Sequence, residues 1–591
     1  MTFDQTALFI LLGTLFALLI WGRIRYDLLA FAALVVATLL GLVPTDQVFS
    51  GFGHPAVIII ALVLIVSRGL MNSGAIEFTA RYVLSASAGL SRHIGVMAVV
   101  GAALSAIINN VAALALLMPL DMEAARKAGR AIGLSLMPLS FATILGGMIT
   151  LIGTPPNIVI AQYRQEALGE PFTMFAFAPV GLVVATTGIL FVALIGWRLL
   201  PARLSQKPTD EDPVSSLYVA ELRVGDDAKE NETTVADLYP IADEKDVNIL
   251  GLIRHGRRLR GFARREQVLP GDFLVVEGEP KGIEAFMGAA KLDFAGSEKH
   301  KPGLTGGSLA LSEAIVPDSA RIVGHSSFDL SLLHGHGVTL LGVSRQGRRL
   351  HARVRHLTLQ TGDVLLLLGS SERLEAAINW LGVLPLEGKR TGVIQRNKAL
   401  LSIGAFALAI AAAVSGLVYL PIALAACVLV YAVSGLIGGA EVYEAVEWKV
   451  IVLLGSLIPL GQAFESSGSA QLIASNIVSL TDGYPVWVAL AVLMIVTMTL
   501  SDFLNNVATV LIAAPIGMQI AKALDANPDP FLMGVAVAAS CAFLTPIGHK
   551  NNTIIMGPGG YRFGDYWRMG LPLELLVLCV SLPAILVFWP L

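Results

Sequence analysis

Charge is what this chain has least of. Only 14% of its 591 residues are Asp, Glu, Lys or Arg, against about 25% in an ordinary soluble protein. With 55% hydrophobic residues and a mean hydropathy of +0.71, this excludes a soluble globular enzyme. Cysteine is also scarce: Cys427, Cys541 and Cys579 lie in apolar runs with no CxxC or Cys/His spacing. A disulfide framework and a structural zinc site are thereby excluded, and all three read as small core residues. A net charge of −3 and a pI near 6.4 give no basic field, and the basic residues are scattered, so no nucleic acid partner is expected. No GxxxxGK[ST] string occurs, since Gly388-Lys389-Arg390 lacks the upstream glycine and the hydroxyl, which disfavours direct ATP drive. Neither a catalytic triad nor HExxH nor a paired intramembrane carboxylate is legible, so no enzyme is expected.

The charge that exists is concentrated. Roughly fifty of the charged residues fall between about 201 and 400, leaving two flanks nearly stripped of charge. A bilayer core needs about 20 mostly apolar residues per helix. The first flank offers such runs at 5–21, 28–43, 55–72, 94–120, 132–163 and 176–200. The second repeats them at 401–418, 421–439, 450–466, 486–520, 530–557 and 571–590, a shift of about 395 residues. The first run has no basic segment before it, only Asp4, and reads as a helix rather than a signal peptide.

The fourth and fifth runs of each flank carry Asn, Gly and Pro at membrane depth, where irregular backbone survives only if protein covers it or it lines a cavity. With the fourth run a re-entrant hairpin, each half makes about five crossings and the second half is inverted. Placing the N-terminus outside puts Arg23, Arg25, Arg81, Arg92, Arg126, Lys127, Arg130, Lys449, Arg562 and Arg568 on inner loops and leaves Arg164 and Lys522 outside, in accord with the positive-inside rule. The expected fold is therefore an all-α polytopic membrane protein with inverted repeats, re-entrant hairpins and broken helices, plus an inserted α+β region. Residues 1–200 form the first membrane repeat and 397–591 the second. The chain would sit in the cell (inner) membrane among lipid, with both termini outside and 201–396 cytoplasmic.

The insert has a repeat of its own, with a shift of about 91 residues. Val247-Asn-Ile-Leu-Gly251 falls on Val338-Thr-Leu-Leu-Gly342, Gly256-Arg257-Arg258-Leu259 on Gly347-Arg348-Arg349-Leu350, and Gly271-Asp272 on Gly362-Asp363. Each unit, 201–300 and 301–396, reads as short strands, a Gly-Asp turn, a buried strand (Phe273 to Glu277, Val364 to Leu368) and a helix from about Lys281 or Ser371. No GxGxxG follows a strand. His325, His334 and His336 lie in loops without neighbouring ligands, and no transition-metal site is expected from them.

The sharpest signal is Ser105-Ala-Ile-Ile-Asn109-Asn110-Val111-Ala112 with Pro119, repeated at the same spacing as Ser501-Asp502-Phe-Leu-Asn505-Asn506-Val507-Ala508 with Pro515. Downstream, Ile152-Gly153-Thr154-Pro155-Pro156-Asn157 is echoed by Ile547-Gly548-His549-Lys550-Asn551-Asn552. Asn offers an amide donor and a carbonyl acceptor without a charge to desolvate. A Gly/Pro break exposes carbonyls that suit a small hard cation and a helix N-terminus that suits an anion. Two inverted copies with broken helices mark a secondary transporter with its site at the midplane.

At these residues the flanks resemble the divalent anion/sodium symporter family, carriers of sulfate, dicarboxylates and citrate. The resemblance implies that Ser105, Asn110 and Gly153, with Asn157, form a first sodium site and that Ser501, Asn506 and Gly548 form a second. Asn109, Asn110, Thr154, Asn505 and Asn506 would face the anion. It also implies a homodimer in which one domain moves like an elevator against a fixed scaffold. Asn replaces the family's first tip Ser in both copies, and Val111 and Val507 replace Thr, removing hydroxyls that would hold a carboxylate. Each unit of the insert resembles the C-terminal ligand-binding module of potassium-channel and Trk-type regulators, which implies a small effector or dimerisation. The pairing of such modules with these flanks is associated with sulfate carriers. Lys550 is expected to stand near the anion in place of a cation, the alternative being that it snorkels toward an interface or pairs with Asp502. Sodium is the expected coupling ion. Competing readings are a dicarboxylate symporter, a cation/proton antiporter or arsenite exporter of the same superfamily, and a ligand-gated channel or membrane sensor.

Overall fold

The computed structural model describes residues 1–21, 24–73, 89–205, 218–224, 234–254, 257–258, 266–278, 280–290, 292–294, 309–317, 320–326, 338–345, 357–385 and 396–591. The expected insert motifs at Gly256 and at 347–350, and His334 and His336, lie outside the described residues.

In the first repeat the helices are α1 (Phe3–Trp21), α2 (Tyr26–Leu39), α3 (Pro55–Asn72), α4 (Leu90–Ser105), α5 (Asn110–Lys127), α6 (Leu136–Gly147), α7 (Pro155–Leu168) and α8 (Ala178–Leu194). The insert holds strands β1 (Tyr218–Val224), β2 (Asn248–Arg254), β3 (Arg257–Arg258), β4 (Phe273–Gly278), β5 (Leu292–Phe294), β6 (Leu309–Ile315), β7 (Thr339–Ser344), β8 (Val364–Ser370) and β9 (Leu384–Pro385). Its helices are α9 (Val235–Glu244), α10 (Pro280–Ala289) and α11 (Ser371–Leu381). The second repeat follows with α12 (Arg396–Val414), α13 (Leu420–Val433), α14 (Gly439–Glu444), α15 (Trp448–Ser466), α16 (Ser469–Leu480), α17 (Val486–Ser501), α18 (Asn506–Ala523), α19 (Pro528–Ser540), α20 (Lys550–Met556) and α21 (Tyr566–Phe588). The fold is an all-α, multi-pass membrane protein of inverted repeats with helical hairpins and broken helices, and it carries an inserted α+β region.

Each expected apolar run is a helix or a pair of helices. The fourth runs are the hairpins α4/α5 and α17/α18, and the fifth runs are α6 and α7, and α19 and α20, broken at 148–154 and 541–549. The breaks follow from composition: Thr154 precedes Pro155 and Pro156, and the residue before a proline is pushed out of helical geometry. Thr154 accordingly sits at φ −144°, ψ 141°.

By their packing the membrane helices sort into two groups. One is a frame in which α15 lies against α2, α13 against α3 and α12 against α13. The other is a hairpin body in which α4 packs on α6, α8 on α21, and α19 on α17 and α18. The groups meet where α15 and α16 touch α18 and where α3 touches α7. Cys427 and Cys541 are buried, as expected, whereas Cys579 is exposed. It lies one helical turn from exposed Leu575 on α21, on an outward face that apolar neighbours give to lipid rather than to the core.

The insert is one nine-stranded sheet in the order β3-β2-β4-β1-β7-β8-β6-β9, with β5 on β1. The internal repeat is visible in it: β4 pairs with β1 and β2, β8 pairs with β6 and β7, and both units carry the same register irregularity, at Ile249/Gly251 and at Leu340/Gly342. The units join edge to edge through Val219 opposite Val343 and Ala220 opposite Gly342, so each covers the other's open strand. Arg254 donates to the buried Asp272 at 3.0 and 2.8 Å. That bond holds its guanidinium above its ordinary range, outweighing the opposing effect of burial.

Candidate functional site

The hairpin tips are built twice on one plan. Asn109 and Asn505 begin α5 and α18, each accepting from the backbone N–H two residues on through Oδ1, Val111 at 2.8 Å and Val507 at 3.0 Å. This is helix N-capping, for which Asn is among the preferred residues, and it leaves each Nδ2 for another partner. One residue further in, Ser105 Oγ donates to Asn110 Oδ1 at 2.6 Å and Ser501 Oγ to Asn506 Oδ1 at 3.2 Å. Ser105 and Ser501 are fully buried, Asn110 and Asn506 nearly so. The Asn110 side chain lies flat against α6 only because residue 147 is glycine, since a Cβ there would lie 2.2 Å from Asn110 Oδ1.

The breaks are fastened to the tips by a threonine in each copy. Thr150 Oγ1 donates to the Ala106 carbonyl at 2.5 Å and accepts from Gly153 N at 3.1 Å. Thr545 Oγ1 donates to the Asp502 carbonyl at 2.5 Å and accepts from Gly548 N at 3.1 Å. Asn157 Nδ2 donates to the Thr150 carbonyl at 2.9 Å, and Asn552 Nδ2 to that of Thr545 at 3.2 Å. The structure thus brings Ser105, Asn110 and Gly153 into one neighbourhood and Ser501, Asn506 and Gly548 into its counterpart. The donors gathered there are hydroxyl, amide and backbone oxygens, a set suited to a hard cation and unsuited to a transition metal. Asn157 takes part as a brace, its amide occupied by the break's carbonyls.

The two copies also meet. Asn551 Nδ2 donates to the Asn110 carbonyl at 3.1 Å and to Thr143 Oγ1 at 2.8 Å, and Asn110 Nδ2 lies 3.3 Å from His549 Nε2. Ser140 Oγ donates to Asn552 Oδ1 at 2.9 Å. Hairpin one is therefore tied to the break of the second repeat. Sequence reasoning missed Thr143, Thr150, Thr545, His549 and Asn551 as members of this network. The signal existed for the threonines, because Thr150-Leu-Ile-Gly153 and Thr545-Pro-Ile-Gly548 share the repeat's shift.

Lys550, expected near the anion, forms an ion pair with Glu447 at the foot of α15, which ties the second break to the frame. Asp502 is buried, its Oδ1 accepting from Leu544 N at 2.9 Å, and Glu574 accepts from the adjacent Phe543 N at 3.3 Å. Two carboxylates separated by about 70 residues of chain, unseen as neighbours in the sequence, therefore face the same stretch of broken backbone. Asp121 is likewise bridged, by His93 Nε2 at 2.7 Å and Ser135 Oγ at 2.6 Å, which fastens both arms of hairpin one to the start of α6.

The frame and the hairpin body are pinned elsewhere too. His54, the N-cap of α3, pairs with Glu166 on α7, and Tyr163 donates to Glu465 at 3.1 Å. These residues border a cavity of about 50 Å³ that Gln462 and Pro515 also line.

Comparison with known proteins agrees with this architecture. The chain is 31% identical over 585 residues to an uncharacterized transporter of Synechocystis, covering 95% of this chain and 94% of that one. It is 25% identical to an uncharacterized transporter of Escherichia coli, with 98% of each covered. Over 349 residues it is 25% identical to sodium/sulfate cotransporter 2 of Chlamydomonas reinhardtii, covering 55% of this chain and 38% of that one. The homologues are transporters and the chain is not an enzyme. The family model described as citrate transporter matches residues 16–516 and 489–591, and with two hairpins, two breaks and their shared staples spanning both matched segments, the chain belongs to the citrate transporter family.

Proposed function

We propose that the protein is a secondary transporter that imports a small divalent anion, sulfate first, driven by sodium. The observation that carries this reading is the doubled constellation of Ser, Asn, Thr and Gly, in which hairpin tip and helix break are fastened together twice. Ser105, Asn110 and the carbonyls near Gly153 supply one cation site, and Ser501, Asn506 and those near Gly548 the other. The Nδ2 groups of Asn109 and Asn505, left over from capping, and the N-terminus of α7 at Thr154 supply anion donors. Sulfate is favoured over a carboxylate because Val111 and Val507 put methyl groups beside the tips, and because a sodium/sulfate cotransporter is among the relatives. Citrate is the second reading, supported by the family to which the chain belongs.

In this reading the hairpin body moves like an elevator past the frame, the termini face outside, the insert is cytoplasmic with a small effector bound to its modules, and two copies pair through their frames. Uptake of labelled sulfate into proteoliposomes, with and without a sodium gradient, tests it, with thiosulfate, molybdate, citrate and succinate as competitors. Sodium-dependent uptake blocked by sulfate analogues is expected. Uptake blocked by citrate alone moves the reading to tricarboxylates, and uptake indifferent to sodium rejects the coupling.

A further inference from the structure

The two modules of the insert build one turn in duplicate, and among the described residues only one copy rests on the membrane body. In the first, Gly271 adopts φ +86° and Asp272 accepts from Leu269 N at 2.9 Å and from Arg254. In the second, Gly362 adopts φ +85° and Asp363 accepts from Gln360 N at 2.8 Å and from Arg345 Nε and Nη2 at 2.7 Å each. The arginine of each turn also donates to a carbonyl of the preceding loop, Gln267 or Thr358. As folded objects the turns are equivalent. Their surroundings are not, because nothing lies within 4 Å of where a side chain at Gly271 would begin. At the second turn the Gly362 carbonyl comes so close to Gly557 that a Cβ at 557 would lie 2.6 Å from it, with Ile315 Cδ1 at 3.8 Å.

Gly557 ends α20, the short helix whose first turn carries Asn551 and Asn552. The contact is therefore on the same rigid element as the site, about 10 Å along it at 1.5 Å per residue. The same module reaches the frame as well, through α14, which is bonded to α3 by Asn72 donating to Glu441 at 3.1 Å. Arg321, lying over the Trp380 ring at 5.7 Å, pairs with Glu444 of α14 at 3.1 Å. One sheet unit thus holds the hairpin body at Gly557 and the frame at Glu444.

We propose that the second module is a clamp, joining the hairpin body to the frame through the Gly362 turn and Arg321, and that this clamp sets the turnover rate. The inference rests on the reading that the two groups of helices move past one another. If they do, a rigid module cannot keep both contacts through the cycle, and one must part at every turnover. The first module, whose Gly271 turn has nothing packed on it among the described residues, supplies rigidity to the sheet. An effector that alters the second module would then change rate without entering the translocation path.

The test uses the full-length protein in proteoliposomes. Gly557 has φ −65°, so alanine suits its backbone, and Gly557→Ala disturbs mainly the approach of Gly362. The maximal uptake rate of G557A should rise two- to fivefold with unchanged anion KM and sodium dependence, and hydrogen exchange at 360–364 should quicken. R321E should raise the rate less, and R321E with E444R should bring it back to the parental value. Gly271→Asn, which keeps the left-handed turn, should change nothing. A parental rate in G557A despite quickened exchange overturns the clamp, as does exchange that stays slow. Failure of the parent protein to show any coupled uptake would instead reject the proposed function, and the clamp with it.

Discussion

The two membrane repeats share a scheme of staples and differ in where charge sits. Hairpin one has Ala106 and the first break has Thr154 and Pro155, where the second repeat has Asp502, His549 and Lys550. The uncharged first copy shows that Ser, Asn, Thr and Gly are enough to make the tip and the break. Two charged residues of the second copy have partners outside the tips: Asp502 the broken backbone at Leu544, and Lys550 the Glu447 carboxylate on the frame. Charge at membrane depth is costly and is kept only with a partner. In this chain it anchors one break and fastens one body to another, while neutral oxygens form the candidate sites.

The comparison breaks most sharply at the paired asparagines. Asn110→Ala strands the buried Ser105 hydroxyl, and an unpaired buried group costs about 1 to 3 kcal/mol, whereas in Asn506→Ala the Ser501 hydroxyl keeps its bond to the Ala539 carbonyl. Anion affinity should fall roughly tenfold to a hundredfold, with Asn110→Ala the worse, because its amide also sits beside His549. Uptake measured at matched surface expression decides this. Parental transport by either variant removes that half from the site.

The threonine staples come next. Thr150→Val and Thr545→Val keep the shape but leave a glycine N–H and a hairpin carbonyl without their hydroxyl partner. A loss of about 1.4 kcal/mol is tenfold in affinity, and a similar loss is expected from each variant in sodium titrations of uptake. Equal losses would show that the copies work as equals. A much larger loss in Thr545→Val would show that Asp502, whose carbonyl it holds, makes the second copy the less tolerant.

Lys550 against Glu447 separates rate from recognition. Their side chains are only 23% and 22% exposed, so Lys550→Met leaves a half-buried carboxylate unpaired. Uptake should slow a few-fold with anion affinity unchanged, and Lys550→Met with Glu447→Met should recover most of the rate, since replacing both members of a pair is far milder than removing one. A drop in anion affinity in the single variant would mean that the ammonium acts on the anion.

Much of this was legible in the sequence for a physical reason: apolar runs of membrane length and an exact internal echo leave few folds that bury both. The helices from α1 to α3 and the breaks at Gly153 and Gly548 lie where hydropathy and Gly/Pro content place them. Helix α16 was not legible, because a 12-residue helix lies below the length that marks a span. The partner of Lys550 was not legible either. Glu447 is about 100 residues away, and only the ion pair between the start of α20 and the foot of α15 reveals them as neighbours. The approach of Asp502 and Glu574 to the same break was hidden for the same reason, whereas the capping role of Asn109 and Asn505 is local and could have been read from their position before each helix.

That local role frames the smallest expected effect. Asn109 and Asn505 cap α5 and α18 through Oδ1, and serine caps about as well as asparagine, while alanine costs about 1 kcal/mol. Serine also keeps a donor, its hydroxyl, for whatever the asparagine Nδ2 contacts. Asn109→Ser and Asn505→Ser should therefore leave thermal stability within about 0.5 kcal/mol of the parent and change anion affinity by no more than about threefold. The alanine variants should lose both the cap and the donor. If the serine variants bind anion as poorly as the alanine ones while remaining fully stable, then the planar amide itself, and not merely a hydrogen-bond donor at the tip, reads the anion, and the tips of this chain recognise their cargo by a geometry that a hydroxyl cannot reproduce.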